Sequence, residues 1–381
     1  MSGDWAGDLR HDRVKEESNL APETKMGVCK NYVGGEWVSS TSGRLIESFN
    51  PATGELVGCA QKSTKEDTLQ AIDSTYEAFH KHSWGSNPKQ RYEALLVLAQ
   101  KMQDNSEELS RLLTIEQGKT IRESRLEVSS CIDMLKYFPG AARQVFGRTI
   151  QLEPTNFGLI VKQPIGVVGL ITPWNWPLLL MIRELAPALA AGNAVIIKPA
   201  SLTPLCSIEI VKYIDQIPQF PKGIVSIVTG SGIEVGETIA QSHKIGMVSF
   251  TGETSTGRRI IELSSSNIKK VALELGGKTP NIVFEDADLE KAIPVLGRSI
   301  FISAGQICMA GSRLLVQESI ADTVIRRLKT YAEQLVVGNG LNEDTDMGPI
   351  ISESQLENIH NYVEIGRKAG QIVTGGYRMQ G

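Results

Sequence analysis

Cys308 closes the run Gly305-Gln306-Ile307-Cys308. A cysteine at the end of a loop of small residues can be an exposed nucleophile through its thiolate, although a lone cysteine is more often buried apolar filler. No histidine lies nearby in sequence to pair with it, which weakens a cysteine-protease reading. Glu274 stands in Val271-Ala272-Leu273-Glu274-Leu275-Gly276-Gly277-Lys278. Buried there, its carboxyl would be raised toward neutrality, the range wanted in a general base; in a simply alternating strand it would face water. Pattern alone leaves the two level. Asn175 is held between two prolines in Pro173-Trp174-Asn175-Trp176-Pro177, directly after an apolar strand-like run. An amide fixed there can donate to a developing oxyanion, and an aromatic turn filling a core is the alternative. Two glycine-rich turns complete the set. The stretch from Gly230 through Gly232 to Gly236 is one residue off the dinucleotide fingerprint. The stretch from Phe250 through Gly252 and Glu253 to Gly257 opens a helical pattern whose first amides could meet a phosphate. Either could be a plain helix cap.

These residues need a scaffold that ends strands beside one another. From Gly166 onward, apolar runs at 167–171, 194–197, 225–228 and 247–250 each precede a helix-like stretch. Short buried runs separated by helices imply βαβ crossovers and a parallel sheet covered on both faces. A further unit starts at 281–283, with a helix from Asp288 and a strand near 314–317. Upstream, 32–38 reads as a strand with a turn at Gly34-Gly35, and helical periodicity runs over 65–79, 90–116 and 120–145. The runs 146–152 and 157–162 form a hairpin signal, and Gly276-Gly277 is the expected boundary between two α/β units.

Length and composition narrow the field. The 381 residues are too many for one core, and 41% hydrophobic with 22% charged is an ordinary globular balance. A net charge of −4 argues against a nucleic-acid surface, and no apolar run approaches the ~20 residues that span a bilayer. The first 25 residues are polar, with no secretory apolar segment, and read as a tail. Five scattered cysteines without a C-x-x-C suit a reducing, cytoplasmic setting better than a disulfide framework or a zinc site. His80 and His82 read as a solvated helix end, so no metal is expected.

The order of these motifs is more specific than any one of them. Asn175 in P-W-N-W-P, Lys198 in G-N-A-V-I-I-K-P, F-T-G-x-T-x-x-G at 250–257, Glu274 in L-E-L-G-G-K and Cys308 in G-Q-I-C-x-A-G-S-R closely resemble the aldehyde dehydrogenase superfamily. The resemblance runs from about Tyr32 to the last residue. Beyond the polar tail, taken as 1–30, it implies a Rossmann-like NAD(P)-binding domain over 31–277 and an α/β catalytic domain over 278–381. A hairpin at 146–162 would interrupt the first domain and join subunits into homodimers or homotetramers. Carried over, Cys308 is the nucleophile, Asn175 with the Cys308 N–H forms the oxyanion hole, and Glu274 activates the hydrolytic water. NAD or NADP would lie on Thr172, Pro173 and Trp174, on Lys198 and Ser201, and on Gly232 and Gly236. Phe250, Gly252, Glu253, Leu275 and Gly276 would complete that site. Trp176, Leu180 and Arg183, spaced by four and three along a helix, would line an aldehyde tunnel with Ile307 and Met309.

The sequence departs from the commonest family pattern in ways that matter. Ser201 stands where a glutamate often grips both ribose hydroxyls, which leaves room for the 2′-phosphate of NADP. Glu253 replaces a serine in the phosphate turn, and Glu184 a lysine after the asparagine. The family continues well past Gly381, so the catalytic domain is expected to be C-terminally incomplete. The expected activity is oxidation of an aldehyde to a carboxylic acid. Succinic semialdehyde dehydrogenases are similar in having an arginine eight residues after the asparagine, here Arg183, though their second arginine is here Ile302. That puts a carboxylated semialdehyde slightly ahead of a plain aldehyde. A CoA-acylating dehydrogenase is disfavoured by Glu274, and an inactive truncated homologue that binds cofactor or full-length subunits is the alternative.

Overall fold

The computed structural model describes residues 26–379, so nearly all of the expected N-terminal tail lies outside the described residues. Strands β1 (Asn31–Val33) and β2 (Glu36–Val38) form a hairpin turning at Gly34 and Gly35, both at positive φ. A second hairpin follows, β3 (Leu45–Phe49) with β4 (Leu56–Gln61). Helices α1 (Lys65–Lys81), α2 (Pro88–Asp104), α3 (Ser106–Gln117) and α4 (Ile121–Ala142) come next. The single helix expected over 90–116 is therefore two. The chain leaves helical geometry at Asn105 (φ −110°, ψ 21°), whose side-chain amide caps the Lys101 carbonyl at 2.8 Å.

After the hairpin β5 (Arg148–Glu153) and β6 (Asn156–Ile160), the alternating region builds the main sheet. Its parallel strands are β7 (Val167–Ile171), β8 (Ala194–Lys198), β9 (Val225–Ile227), β10 (Ile245–Gly252) and β11 (Lys270–Leu275). Helices α5 (Pro177–Ala190) and α6 (Pro204–Asp215) link the first three strands. A π-turn (Gly232–Glu237) running into α7 (Thr238–Gln241) leads to β10, and α8 (Thr254–Ser264) leads on to β11. Every residue of β7 and β8 is buried, as strands covered on both faces require. The order is β11-β10-β7-β8-β9-β1-β2. The chain winds from β7 outward through β8 and β9, then returns to the other side of β7. The switch point between β7 and β10 is where such sheets open a ligand crevice at the strands' carboxyl ends.

The remaining strands, β12 (Pro280–Val283) and β13 (Arg313–Val316), pair in parallel. They carry α9 (Leu289–Phe301) and α10 (Ala321–Glu333), with α11 (Glu353–Ala369) further on. Two apolar cores result. The larger runs from Cys29 to Leu263, and a small one is built on Val283, Ile293, Leu296 and Val324. They fall on either side of Gly276 and Gly277.

Candidate active site

The Pro173–Pro177 turn leaves the carboxyl end of β7 and starts α5. Trp176 is the residue before the helix and has no side-chain oxygen to cap it, and Pro177 supplies no N–H. The next two amides, of Leu178 and Leu179, instead donate to one oxygen of the buried Glu127 carboxylate, both at 2.9 Å. The other Glu127 oxygen accepts from Lys119 Nζ at 2.6 Å, and the same ammonium donates to the Asn175 carbonyl at 2.8 Å. It also lies 3.8 Å from the centre of the Trp176 ring. The turn carrying Asn175 is thereby held from below by α4 and the residue just before its cap.

The Cys308 loop is shaped differently. Past α9, Ser303 (φ 52°) and Ala304 (φ 54°) take the left-handed conformation, followed by Gly305 (φ 75°). Non-glycine residues there cost about 1–3 kcal/mol each and persist only when surroundings enforce them. The enforcement is visible: the Ser303 N–H donates to Glu123 Oε1 at 2.6 Å. Gln306 ties the loop further, donating from its side chain to the Ser303 carbonyl at 3.0 Å and accepting from the Ile351 N–H at 3.1 Å. The Asn175 side-chain amide then donates to the Gln306 carbonyl at 2.9 Å. Cys308 is the one exposed cysteine among the five, and burial pushes the thiols of Cys29, Cys131 and Cys206 up. The end of β11 arrives alongside: a side chain placed on Gly277 would lie 3.6 Å from the Cys308 carbonyl.

The crevice at the switch point collects the other motif residues. Lys198 ends β8 buried, with Nζ on the Pro199 carbonyl at 3.2 Å, and the Thr172 N–H donates to the Lys198 carbonyl at 3.1 Å. A Cβ on Gly236 would come 4.0 Å from the Lys198 side chain, so the Gly232–Gly236 turn opens against that lysine. The Ser201 hydroxyl donates to the Gly230 carbonyl at 3.2 Å. A Cβ on Gly252 would sit 2.4 Å from the buried Phe250 ring, so a side chain there would have to displace that ring. Glu253 precedes α8 and accepts from the Ser255 hydroxyl at 2.8 Å in place of capping the helix. Leu275 is half-buried, and Gly276 is exposed beyond it.

Residues 37–381 match the sequence profile of the aldehyde dehydrogenase family. The betaine aldehyde dehydrogenase of Bacillus subtilis is 39% identical over 350 residues, 91% of this chain and 71% of that protein. The glutarate-semialdehyde dehydrogenase of Pseudomonas putida is 36% identical over 92% of this chain and 73% of its own length. The crystal structure of a Staphylococcus aureus betaine aldehyde dehydrogenase in complex with NAD+ superposes with a TM-score of 0.91 at 36% identity, covering 94% of this chain and 71% of that one. The chain belongs to the aldehyde dehydrogenase family. With membership go the parallel-sheet α/β fold and the reaction class, oxidation of an aldehyde with NAD or NADP.

The crevice of this aldehyde dehydrogenase fits a dinucleotide. Thr172 Oγ1 is buried at the crevice without a hydrogen-bond partner, an acceptor or donor left for a bound group. Among the described residues no cluster could hold a metal ion, and no helix is long and apolar enough to cross a membrane.

Several site residues stand differently from expectation. Glu274 is exposed on β11, the water-facing one of the two placements its pattern left open. The strand is half-buried along Val271–Leu273 and meets water at Glu274. Trp176 and Leu180 are buried rather than open, and the Trp176 ring faces the Lys119 ammonium. Arg183 pairs with the neighbouring Glu184 at 3.2 Å, although its Nη2 is buried without a partner. Ile307 is half-buried and Met309 is 73% exposed. The residues that tie the site together, Lys119, Glu123 and Glu127, were not singled out from sequence. Their one local signal was the capping-box pattern Thr120-Ile121-Arg122-Glu123.

Proposed function

We propose that this aldehyde dehydrogenase converts its substrate to a carboxylic acid through a thiohemiacetal and then a thioester on Cys308. The observation that carries this is the bonded pair of the Asn175 amide and the Cys308 loop, with Cys308 the exposed cysteine. Thiolate attack on the carbonyl makes an oxyanion; the Asn175 amide and the Cys308 N–H are the donors proposed for it. NAD or NADP held at the site would supply the acceptor for the hydride that leaves the tetrahedral carbon. Glu274 is the proposed base for the water that cleaves the thioester, at the end of the strand that reaches Cys308. Lys198, Ser201 and the turns at 232–236 and 250–257 are the proposed cofactor site. Ser201 brings no carboxylate to repel a 2′-phosphate, so NADP is accepted alongside NAD.

The proposed substrate is a semialdehyde with a distal carboxylate, entering past Arg183, Leu180, Trp176, Ile307 and Met309. The unpartnered Arg183 Nη2 supports this, as does a relative named for glutarate semialdehyde. Homodimers or homotetramers are proposed through the hairpin at 146–162. Its strands leave Leu152 and Ile160 exposed on one face and Phe157 and Leu159 on the other, exposed apolar side chains of the kind that pair. The buried free cysteines suit a reducing, cytoplasmic setting. The test is NAD(P)H formation with semialdehydes by the purified chain and by Cys308→Ala. Turnover lost in the variant while cofactor binding is kept supports the assignment. Aldehyde oxidation by Cys308→Ala at the parent rate overturns it.

A further inference from the structure

Residues 119–127 join the two halves of the site through about two helical turns. Thr120 and Glu123 form a reciprocal cap: the Thr120 N–H donates to Glu123 Oε2 at 2.8 Å, and the Glu123 N–H to Thr120 Oγ1 at 3.3 Å. That cap uses one oxygen of Glu123. The other, Oε1, reaches out of the helix and takes the Ser303 N–H, the first residue of the left-handed kink leading to Cys308. Glu127 lies one turn on, on the same face of α4, and takes the first free amides of α5. Lys119 closes the arrangement on the Asn175 carbonyl.

Stability alone is a poor reason for this set. The side chains of Lys119 and Glu127 are both fully out of water. A buried ion pair of that kind generally gains little over two apolar residues of the same volume, because desolvation offsets the attraction. Two apolar residues could not, however, accept a pair of backbone N–H groups and donate to a carbonyl. What the charges do here is fix backbone direction at Asn175 and over the start of α5 just after it, while Glu123 does the same for the approach to Cys308.

We propose that Lys119, Glu123 and Glu127 are positioning residues, which set the Asn175 amide and the Cys308 loop at the separation that an oxyanion requires without touching substrate. This rests on the roles assigned to Cys308 and Asn175 above. A misplacement of about 1 Å at a reacting centre costs up to about a hundredfold in rate, so the effect is large enough to measure.

The decisive variant is the pair Lys119→Met with Glu127→Gln, which removes both buried charges and keeps an acceptor for the α5 amides. It is expected to keep the parent's cofactor Kd and to change aldehyde KM by less than about threefold, while kcat falls at least about tenfold. Placed in an Asn175→Ala background, the same pair is expected to cost less than about threefold, because the group it positions is gone. Hydrogen exchange of residues 174–179 is expected to quicken, with β8 unchanged. An equal kcat loss in both backgrounds, or unchanged exchange over 174–179, overturns the proposal. Should the parent show no turnover at all, the catalytic reading fails by itself, and the exchange measurement still decides the positioning claim. Glu123→Ala, which removes only a cap contact and the Ser303 tether, guards against a paired variant that does not fold. It is expected to quicken exchange over 303–308 and lower kcat at constant KM, and parent-like values for both count against the proposal.

Discussion

The Asn175 side-chain amide donates to the main-chain carbonyl of Gln306 at 2.9 Å, two residues before Cys308. The proposed oxyanion donor and the proposed nucleophile loop are thus bonded to each other. An amide NH2 has two hydrogens, so one stays with Gln306 and the other is left for an oxyanion. Asn175→Ala is expected to lower kcat about 10²–10³-fold, the usual loss for one oxyanion-hole donor, with a smaller change in KM. Steady-state rates with a simple aldehyde check this, and a variant within about threefold of the parent would remove Asn175 from the hole.

Glu274→Gln is expected to act on a different step. If Glu274 activates the hydrolytic water, acylation and the first hydride transfer survive and thioester cleavage slows. A burst of NAD(P)H should then precede a slow steady state in stopped-flow traces. Its exposure in this chain makes the result informative, because an exposed carboxylate that is only decorative leaves steady-state turnover unchanged.

Arg183→Leu separates substrate recognition from local charge pairing. Arg183 already shares Nε with Glu184 at 3.2 Å, and its Nη2 has no partner. If Nη2 meets a substrate carboxylate, kcat/KM for succinic semialdehyde should fall by about 1.5–3 kcal/mol while an uncharged aldehyde of similar length is spared. Equal losses on the two substrates would mean that the arginine serves Glu184 alone.

Glu116 gives a pH signature unrelated to catalysis. Its buried carboxyl accepts from the Leu205 and Cys206 amides at 2.6 and 2.9 Å, yet burial outweighs those bonds and pushes its pKa up to about 7. The folded state therefore holds this proton more tightly than the unfolded chain does. The stabilisation is complete below the ordinary carboxylate pKa of about 4.3 and is lost as pH rises through the folded value. The thermal midpoint should drop between about pH 4 and 7, and Glu116→Gln should flatten that part of the profile. Parallel profiles for parent and variant would contradict the assignment.

How much was legible follows from where each residue's partners lie. β7 and β8 were readable because strands covered on both faces are continuous apolar runs, and their carboxyl ends located Asn175 and Lys198 without further help. The break between α2 and α3 was hidden, since apolar spacing continues across Asn105 and neither glycine nor proline marks it. The exposure of Glu274 could not be read, because an alternating strand and a buried one differ only in what lies opposite. Glu123 showed its cap to Thr120 locally, but its bond to Ser303 spans 180 residues, and nothing in a linear pattern carries that.

Two helices of the sheet domain begin at a proline with no side-chain cap of their own. α5 follows Trp176 and α6 follows Thr203, whose hydroxyl has no partner; each starts at a proline, and each takes a carboxylate from another helix, Glu127 or Glu116. Neither helix can finish its first turn from local sequence. Their amino-terminal amides stay exposed to water until α3 and α4 have docked, so partly assembled chains gain little from forming them early. Folding of the central sheet is thereby coupled to the helical layer that precedes it, and local opening of α4 loosens the Asn175 turn and the approach to Cys308 at the same moment.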